Sequence, residues 1–134
     1  MAWTHYSNTQ RIGQNKFLVN YAGQADASDL TDYVLFDISA KAPGFTKTQI
    51  ESLKIRSSGG LVAVLEWDAT TDDFITASVG HEQQFPPPFQ REDLISGNFI
   101  VDPASTGTTG DILLTTIGGA LGRGVSIEAI IHTL

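Results

Sequence analysis

Apolar and polar positions alternate most regularly near the carboxyl end of the chain. A period of two places Val125, Ile127, Ala129 and Ile131 on one side of the backbone. Such a period is typical of a β-strand that buries one face and exposes the other. The pattern therefore predicts a strand over residues 125–131.

Similar short runs recur along the chain, and each has the length of a strand. Residues typical of turns, chiefly Gly, Pro, Asp and Ser, separate them. The runs cover residues 17–21, 32–39, 52–57, 61–67, 74–79, 95–101, 111–117 and 125–131. Strands spaced about 8 to 15 residues apart are typical of a sandwich or barrel. Residues 46–51 are compatible with a single helical turn before the strand at 52–57.

We expect an all-β, single-domain antiparallel β-sandwich, either jelly-roll-like or immunoglobulin-like, over residues 15–134. The 134 residues are enough for one hydrophobic core. Residues 1–14 are polar and weakly patterned, so they are expected to form an extended N-terminal arm. Two alternatives stay open for this arm: a partner covers it, or it folds back on its own domain.

Composition excludes several classes of protein. The chain has no cysteine, so neither a disulfide framework nor a thiolate metal site is available. The formal net charge is −7, and it is uneven: residues 1–60 hold six Lys/Arg and five Asp/Glu, whereas residues 61–134 hold two and ten. An acidic chain favours neither nucleic acid nor an anionic membrane as a partner. The amino terminus lacks the pattern of a signal peptide, so we expect a soluble protein made in the cytoplasm.

Few residues suggest chemistry at a site. The acidic stretch Asp68–Asp73 lies between two apolar runs and lacks the ligand order of an EF-hand calcium loop, which favours a hairpin turn over a metal site. The three histidines, His5, His81 and His132, lie in no recognised catalytic motif. We therefore assign no catalytic residue, no cofactor and no metal ligand, and we do not expect an enzyme.

Aromatic and basic residues suggest contacts with a partner. Trp67 ends an alternating apolar series and is expected in the core rather than on a sugar-stacking face with Trp3, Tyr6, Tyr21 and Tyr33. Lys54 and Arg56 alternate with Leu53 and Ile55, which predicts a strand with a basic outer face. The stiff proline-rich segment at residues 85–89 also suits docking. The residues predicted to bind a partner are Trp3, Tyr6, Lys54, Arg56, Phe85, Pro87 and Phe89.

Three stretches, residues 65–73, 102–116 and 125–128, resemble small virion structural proteins of tailed bacteriophages, of the capsid decoration or cement type. The resemblance implies a β-sandwich that sits in many copies on the capsid exterior, contacts the major capsid protein and often associates with itself as a trimer. It implies stabilisation of the capsid lattice and synthesis in the host cytoplasm.

Alternatives remain in two classes. Within virion proteins, the chain is also compatible with a tail or head-to-tail connector component. Outside them, a carbohydrate-binding sandwich would use exposed Trp and Tyr, with a cation held by Asp68, Asp72 and Asp73. A hydrolase comes last, and it would require His81 or His132 to approach a serine and a carboxylate.

Overall fold

The computed structural model describes residues 3–79, 82–85 and 100–134, of which 79 and 82–85 by their backbone alone. Strands dominate it, with one short helix. They are β1 (Thr4–Gly13), β2 (Lys16–Gln24), β3 (Tyr33–Phe36), α1 (Ile38–Lys41), β4 (Thr48–Ser57), β5 (Val62–Trp67), β6 (Asp73–Val79), β7 (Glu82–Phe85), β8 (Ile100–Val101), β9 (Ile112–Ile117) and β10 (Gly124–Thr133).

The strands form two antiparallel sheets that pack together. The larger sheet has the order β1-β2-β10-β4-β7, with β8 also pairing with β4, and the smaller sheet has the order β3-β9-β5-β6. This arrangement confirms the predicted all-β sandwich. In the larger sheet, β10 lies between β2 and β4, so residues far apart in the chain become neighbours.

The core lies between the two sheets. From the larger sheet, the predicted inner row of β10 is buried throughout, at Val125, Ile127, Ala129 and Ile131. From the smaller sheet, Trp67 is only 2% exposed, which confirms its predicted place in the core. Residues along these strands therefore alternate as the sequence pattern indicates: one face of the strand fills the core and the other faces outward.

Two local interpretations differ from the structure, both near helix α1. Residues 46–51 enter β4 at Thr48, whose side chain is buried, instead of forming a helical turn. The helical turn lies earlier, inside the run 32–39 that was predicted to be one strand. There Asp37 caps α1, since its carboxylate accepts hydrogen bonds from the backbone N–H groups of Ser39 and Ala40 at 3.1 and 3.3 Å.

The predicted N-terminal arm folds back on its own domain. It is extended, and from Thr4 to Gly13 it pairs as β1 with β2 in an antiparallel ladder. Trp3, just before the strand, is 7% exposed and belongs to the core, and its Nε1 donates a hydrogen bond to the Ser28 carbonyl oxygen at 2.9 Å. Of the two alternatives left open for this segment, the structure shows this one.

The proline-rich segment falls largely outside the described residues. Strand β7 ends at Phe85, and of the predicted partner-binding residues Pro87 and Phe89 lie beyond it. The strand predicted at 95–101 is described only at Ile100 and Val101, which form β8. Among the described residues, no helix is long and apolar enough to cross a membrane.

Candidate functional site

The outward side of the larger sheet brings together several of the predicted partner-binding residues. Residues opposite each other in an antiparallel ladder project from the same face of the sheet. The registers of β1 with β2, β2 with β10, and β10 with β4 therefore define continuous rows across four strands. We call the exposed side of these four strands the outer face.

Two adjacent rows of the outer face contain the predicted residues. One row is Tyr6, Ala22, Ser126 and Arg56, and the next is Asn8, Asn20, Glu128 and Lys54. Tyr6 is 64% exposed, and both Lys54 and Arg56 are exposed. Three strand spacings, about 15 Å, separate the first strand from the fourth. Tyr6, Lys54 and Arg56 thus lie on one rigid face.

A groove runs along this face between β1 and β10. It has a volume of about 620 Å³, and its polar lining includes Asn8, Asn20, Ser126 and Glu128 beside the ring of Tyr6. Ala22 of β2 lies between Tyr6 and Ser126 in the first row and lines the groove, where its small side chain leaves space. The amide and hydroxyl groups can donate and accept hydrogen bonds, and the carboxylate can accept them. The aromatic ring can stack against a flat group.

The far end of the outer face is an ion cluster. The Glu51 carboxylate lies 3.1 Å from Lys16 Nζ and 2.8 Å from His132 Nε2. Partial burial acts to raise the pKa of Glu51, but hydrogen bonds from His132 and Lys16 outweigh it, so the pKa lies below its usual value. The cluster links β2, β4 and β10, and His132 is in it a hydrogen-bond partner of the Glu51 carboxylate.

The remaining predicted aromatic residues are mostly internal. The His5 ring stacks on Tyr33 with centroids 4.4 Å apart, and its Nδ1 lies 2.7 Å from the Tyr21 hydroxyl. Burial raises the pKa of Tyr21, with the neighbouring Tyr33 adding to the effect. With Trp3 and Trp67 also buried, the five aromatic residues considered for a sugar-stacking face do not share one surface, and Tyr6 alone lies on the outer face.

The acidic stretch 68–73 forms the turn between β5 and β6, as predicted. Its three aspartates are directed to different partners. Asp72 accepts from the Ala69 N–H at 3.1 Å, Asp68 accepts from the Thr109 hydroxyl at 2.9 Å, and Asp73 accepts from the Ser105 hydroxyl at 2.9 Å. The side chains therefore secure the turn and its neighbouring loop.

A different trio of carboxylates comes together beside this turn. Oxygens of Asp32, Glu66 and Asp72 all lie within 4.8 Å of one another. Burial first, and then the charge of Asp72, raise the pKa values of Asp32 and Glu66. Carboxylate oxygens at this spacing are the donor type that Ca²⁺ prefers. Sequence reasoning missed Asp32 and Glu66 because pairing of β3, β9 and β5, not a local motif, places them next to Asp72.

Comparisons of the chain with protein-family models, with curated proteins and with solved structures found no match. The assignment of the candidate site therefore rests on the geometry of the chain itself.

Proposed function

We propose that this protein is a non-enzymatic structural protein of a phage virion, a capsid decoration protein that binds the major capsid protein lattice through its outer face. The observation that carries the proposal is the common placement of Tyr6, Lys54 and Arg56 in two adjacent rows of one sheet. An exposed aromatic ring and two cations on rigid strands suit docking on another protein, because little conformational entropy is lost on binding.

Charge supports the choice of this face. The chain carries 15 Asp/Glu against eight Lys/Arg. The outer face departs from that ratio: Lys16, Lys54 and Arg56 accompany Glu51 and Glu128, and Glu82 of the adjoining strand β7 is paired opposite Arg56. A face with balanced charges on an acidic protein would turn toward an acidic shell more readily than the acidic remainder, which would stay in solvent.

The size of the face is consistent with attachment in many copies. Four strands wide and about eight residues long, it measures roughly 15 Å by 27 Å from ordinary strand spacing and rise. That is smaller than one side of a standard stable interface, which buries about 800 Å² per partner. Attachment would then depend on repetition over the lattice, where modest contacts add through symmetry.

Charge reversal tests the proposal. The variant Lys54→Glu with Arg56→Glu should bind purified capsid shells at least tenfold more weakly than the unaltered chain, and the loss should shrink as salt is added. The matched control is Lys41→Glu with Arg123→Glu, which makes the same change of charge outside the outer face and should bind normally, because Lys41 lies in α1 and Arg123 contacts the Gly118 carbonyl oxygen in the loop before β10. Equal binding by both double variants would contradict docking through the outer face.

A carbohydrate-binding module is the second candidate, and the groove beside Tyr6 is the observation that favours it. Under that alternative, the chain would be retained on a polysaccharide column and Tyr6→Ala would abolish retention, because ring stacking supplies much of the affinity for a sugar. Retention without any binding to capsid shells would replace the decoration proposal with this one.

A further inference from the structure

Among the residues that the structure describes, strand β1 has one edge to which no strand is paired. In the part of the chain that the structure describes, β1 ends the strand order of the larger sheet and pairs with β2 on one side. In an antiparallel strand, every second residue directs its N–H and C=O away from the paired neighbour. On the other side of β1 these groups are available to a further strand, and such an edge is a template for strand addition.

The usual means of protecting an edge are weak in β1. The strand contains no proline, lysine, aspartate or glutamate, and Arg11 turns back to its own hairpin, since Nε donates to the Gln14 carbonyl oxygen at 3.2 Å. A bulge lies between Arg11 and Gly13, at the hairpin end. The register from Thr4 to Arg11 is uninterrupted, which gives eight consecutive residues for pairing.

Charge distinguishes the partner of this edge. The chain has a net charge of −7, yet its first acidic residue is Asp26, after the end of β2. The β1–β2 hairpin itself therefore contributes no carboxylate to a contact between two copies of this acidic chain. The central side chains, from Ser7 to Gln10, are uncharged hydroxyls and amides, so two antiparallel copies of β1 place no like charges opposite each other.

We propose that two copies of this chain associate through β1, which pairs antiparallel with β1 of the second copy. The two-fold axis is perpendicular to the larger sheet and passes beside Ser7 or Asn8, the middle of the regular stretch. Opposite residues then share a face of the joined sheet, as antiparallel pairing requires.

The geometry has a consequence for the outer face. A two-fold axis perpendicular to the sheet keeps the outer faces of both copies on the same side, so the dimer presents two grooves side by side. The combined face is twice as large as that of one copy, which under the proposed function would allow bivalent binding to the capsid lattice. The dimer does not rest on the proposed function, because pairing through β1 is measured on the isolated protein without any shell.

Sedimentation velocity on three proteins tests the dimer. The unaltered chain should sediment with twice the 14.4 kDa mass of a single chain. Asn8→Lys, which places two ammonium groups near the axis, should sediment as the monomer with an unchanged far-ultraviolet circular dichroism spectrum. The matched control Ser126→Lys, on the outer face of β10, should remain dimeric. A monomeric or trimeric unaltered chain, or a dimer that Asn8→Lys leaves intact, would overturn the proposal.

Cross-linking provides a second readout that is independent of stability. Because the chain has no cysteine, single substitutions give unambiguous products. On mild oxidation, Ser7→Cys or Asn8→Cys should form a disulfide-linked dimer, whereas Ser126→Cys should stay monomeric under denaturing conditions. Equal cross-linking at Ser126→Cys, or none at either position of β1, would contradict pairing at this edge.

Discussion

Thr48 links the two sheets of the sandwich through buried hydrogen bonds. Its hydroxyl accepts from Trp67 Nε1 at 3.0 Å and donates to the Gly110 carbonyl oxygen at 2.9 Å, and Thr48 is fully buried at 0% exposure. Removing the hydroxyl would leave both the indole N–H and the carbonyl without this partner in the core.

Thr48→Val should therefore lower the free energy of unfolding by about 1–3 kcal/mol, the typical penalty for a buried unsatisfied polar group. Val preserves the branched shape, so the loss reports the hydrogen bonds. Thr46→Val, at an exposed position two residues earlier, is the control and should change stability little. Urea unfolding of both variants measures the difference. Equal stability of the two would show that the link contributes nothing.

The carboxylate trio of Asp32, Glu66 and Asp72 should make the free energy of unfolding depend on pH. The raised pKa values of Asp32 and Glu66, caused by burial and then by Asp72, mean that folding favours their protonated forms. That favourable contribution is complete below the ordinary carboxyl pKa and is lost as the pH rises through the raised values. At neutral pH the three ionised groups repel one another.

Asp72→Asn should therefore stabilise the protein at pH 7, by roughly 0.5 kcal/mol given solvent screening of partly exposed charges. The Asn side-chain oxygen can still accept from the Ala69 N–H, so the turn is retained. The gain should shrink toward pH 4, where the neighbouring carboxyls protonate. Thermal unfolding across this range measures it, and a gain independent of pH would contradict the assigned repulsion.

Strand β1 belongs to the folded domain even though its sequence looks like an arm. Deleting residues 1–12 removes the buried Trp3 and most of the ladder with β2. We expect the free energy of unfolding to fall by about 2 kcal/mol or more, the usual loss for a large buried apolar side chain. Tyr6→Ala in the full-length chain should be nearly neutral, because the ring is largely exposed. An unchanged melting temperature after the deletion would show that β1 is a detachable arm.

Sequence patterns predicted the strands that bury one face and missed those that do not. Alternation located β5 and β10 because both fill the core with every second residue. Strand β1 carries polar residues on both sides, since it lies at an edge and its strongest core contact, Trp3, precedes it. Helix α1 is one turn long, so its signal was only the cap at Asp37, which the surrounding apolar run concealed.

Three residues of the candidate site could be predicted singly, but neither the face that they share nor the polar lining of the groove could. Tyr6, Lys54 and Arg56 each have a local signal: an exposed aromatic residue in a polar segment, and cations alternating with buried apolar residues. Their common face depends on β10 inserting between β2 and β4, a long-range pairing that no local pattern specifies. The same reason explains why Asp72 lies beside Asp32 and Glu66, and not in a common cluster with Asp68 and Asp73, the trio that only the carbohydrate-binding alternative required.

The charge distribution of the chain and the geometry of the larger sheet are both consistent with the proposed docking on a repeating lattice. The outer face carries an aromatic ring, a polar groove and a higher share of cations than the rest of the protein, which is acidic as a whole. Pairing through β1 would place two such faces side by side on one surface. These properties suit a protein that occupies a repeating lattice, where each contact is modest and symmetry multiplies it.

The proposed role requires this chain to be present in purified virions, and its copy number there tests that account most directly. Quantitative protein staining against the major capsid protein gives the ratio without any assumption about the docking face. The account predicts about one copy per major capsid subunit, or one per capsid trimer. Absence from the particle would contradict capsid decoration, and so would the small number of copies that a single ring in a tail or connector contains.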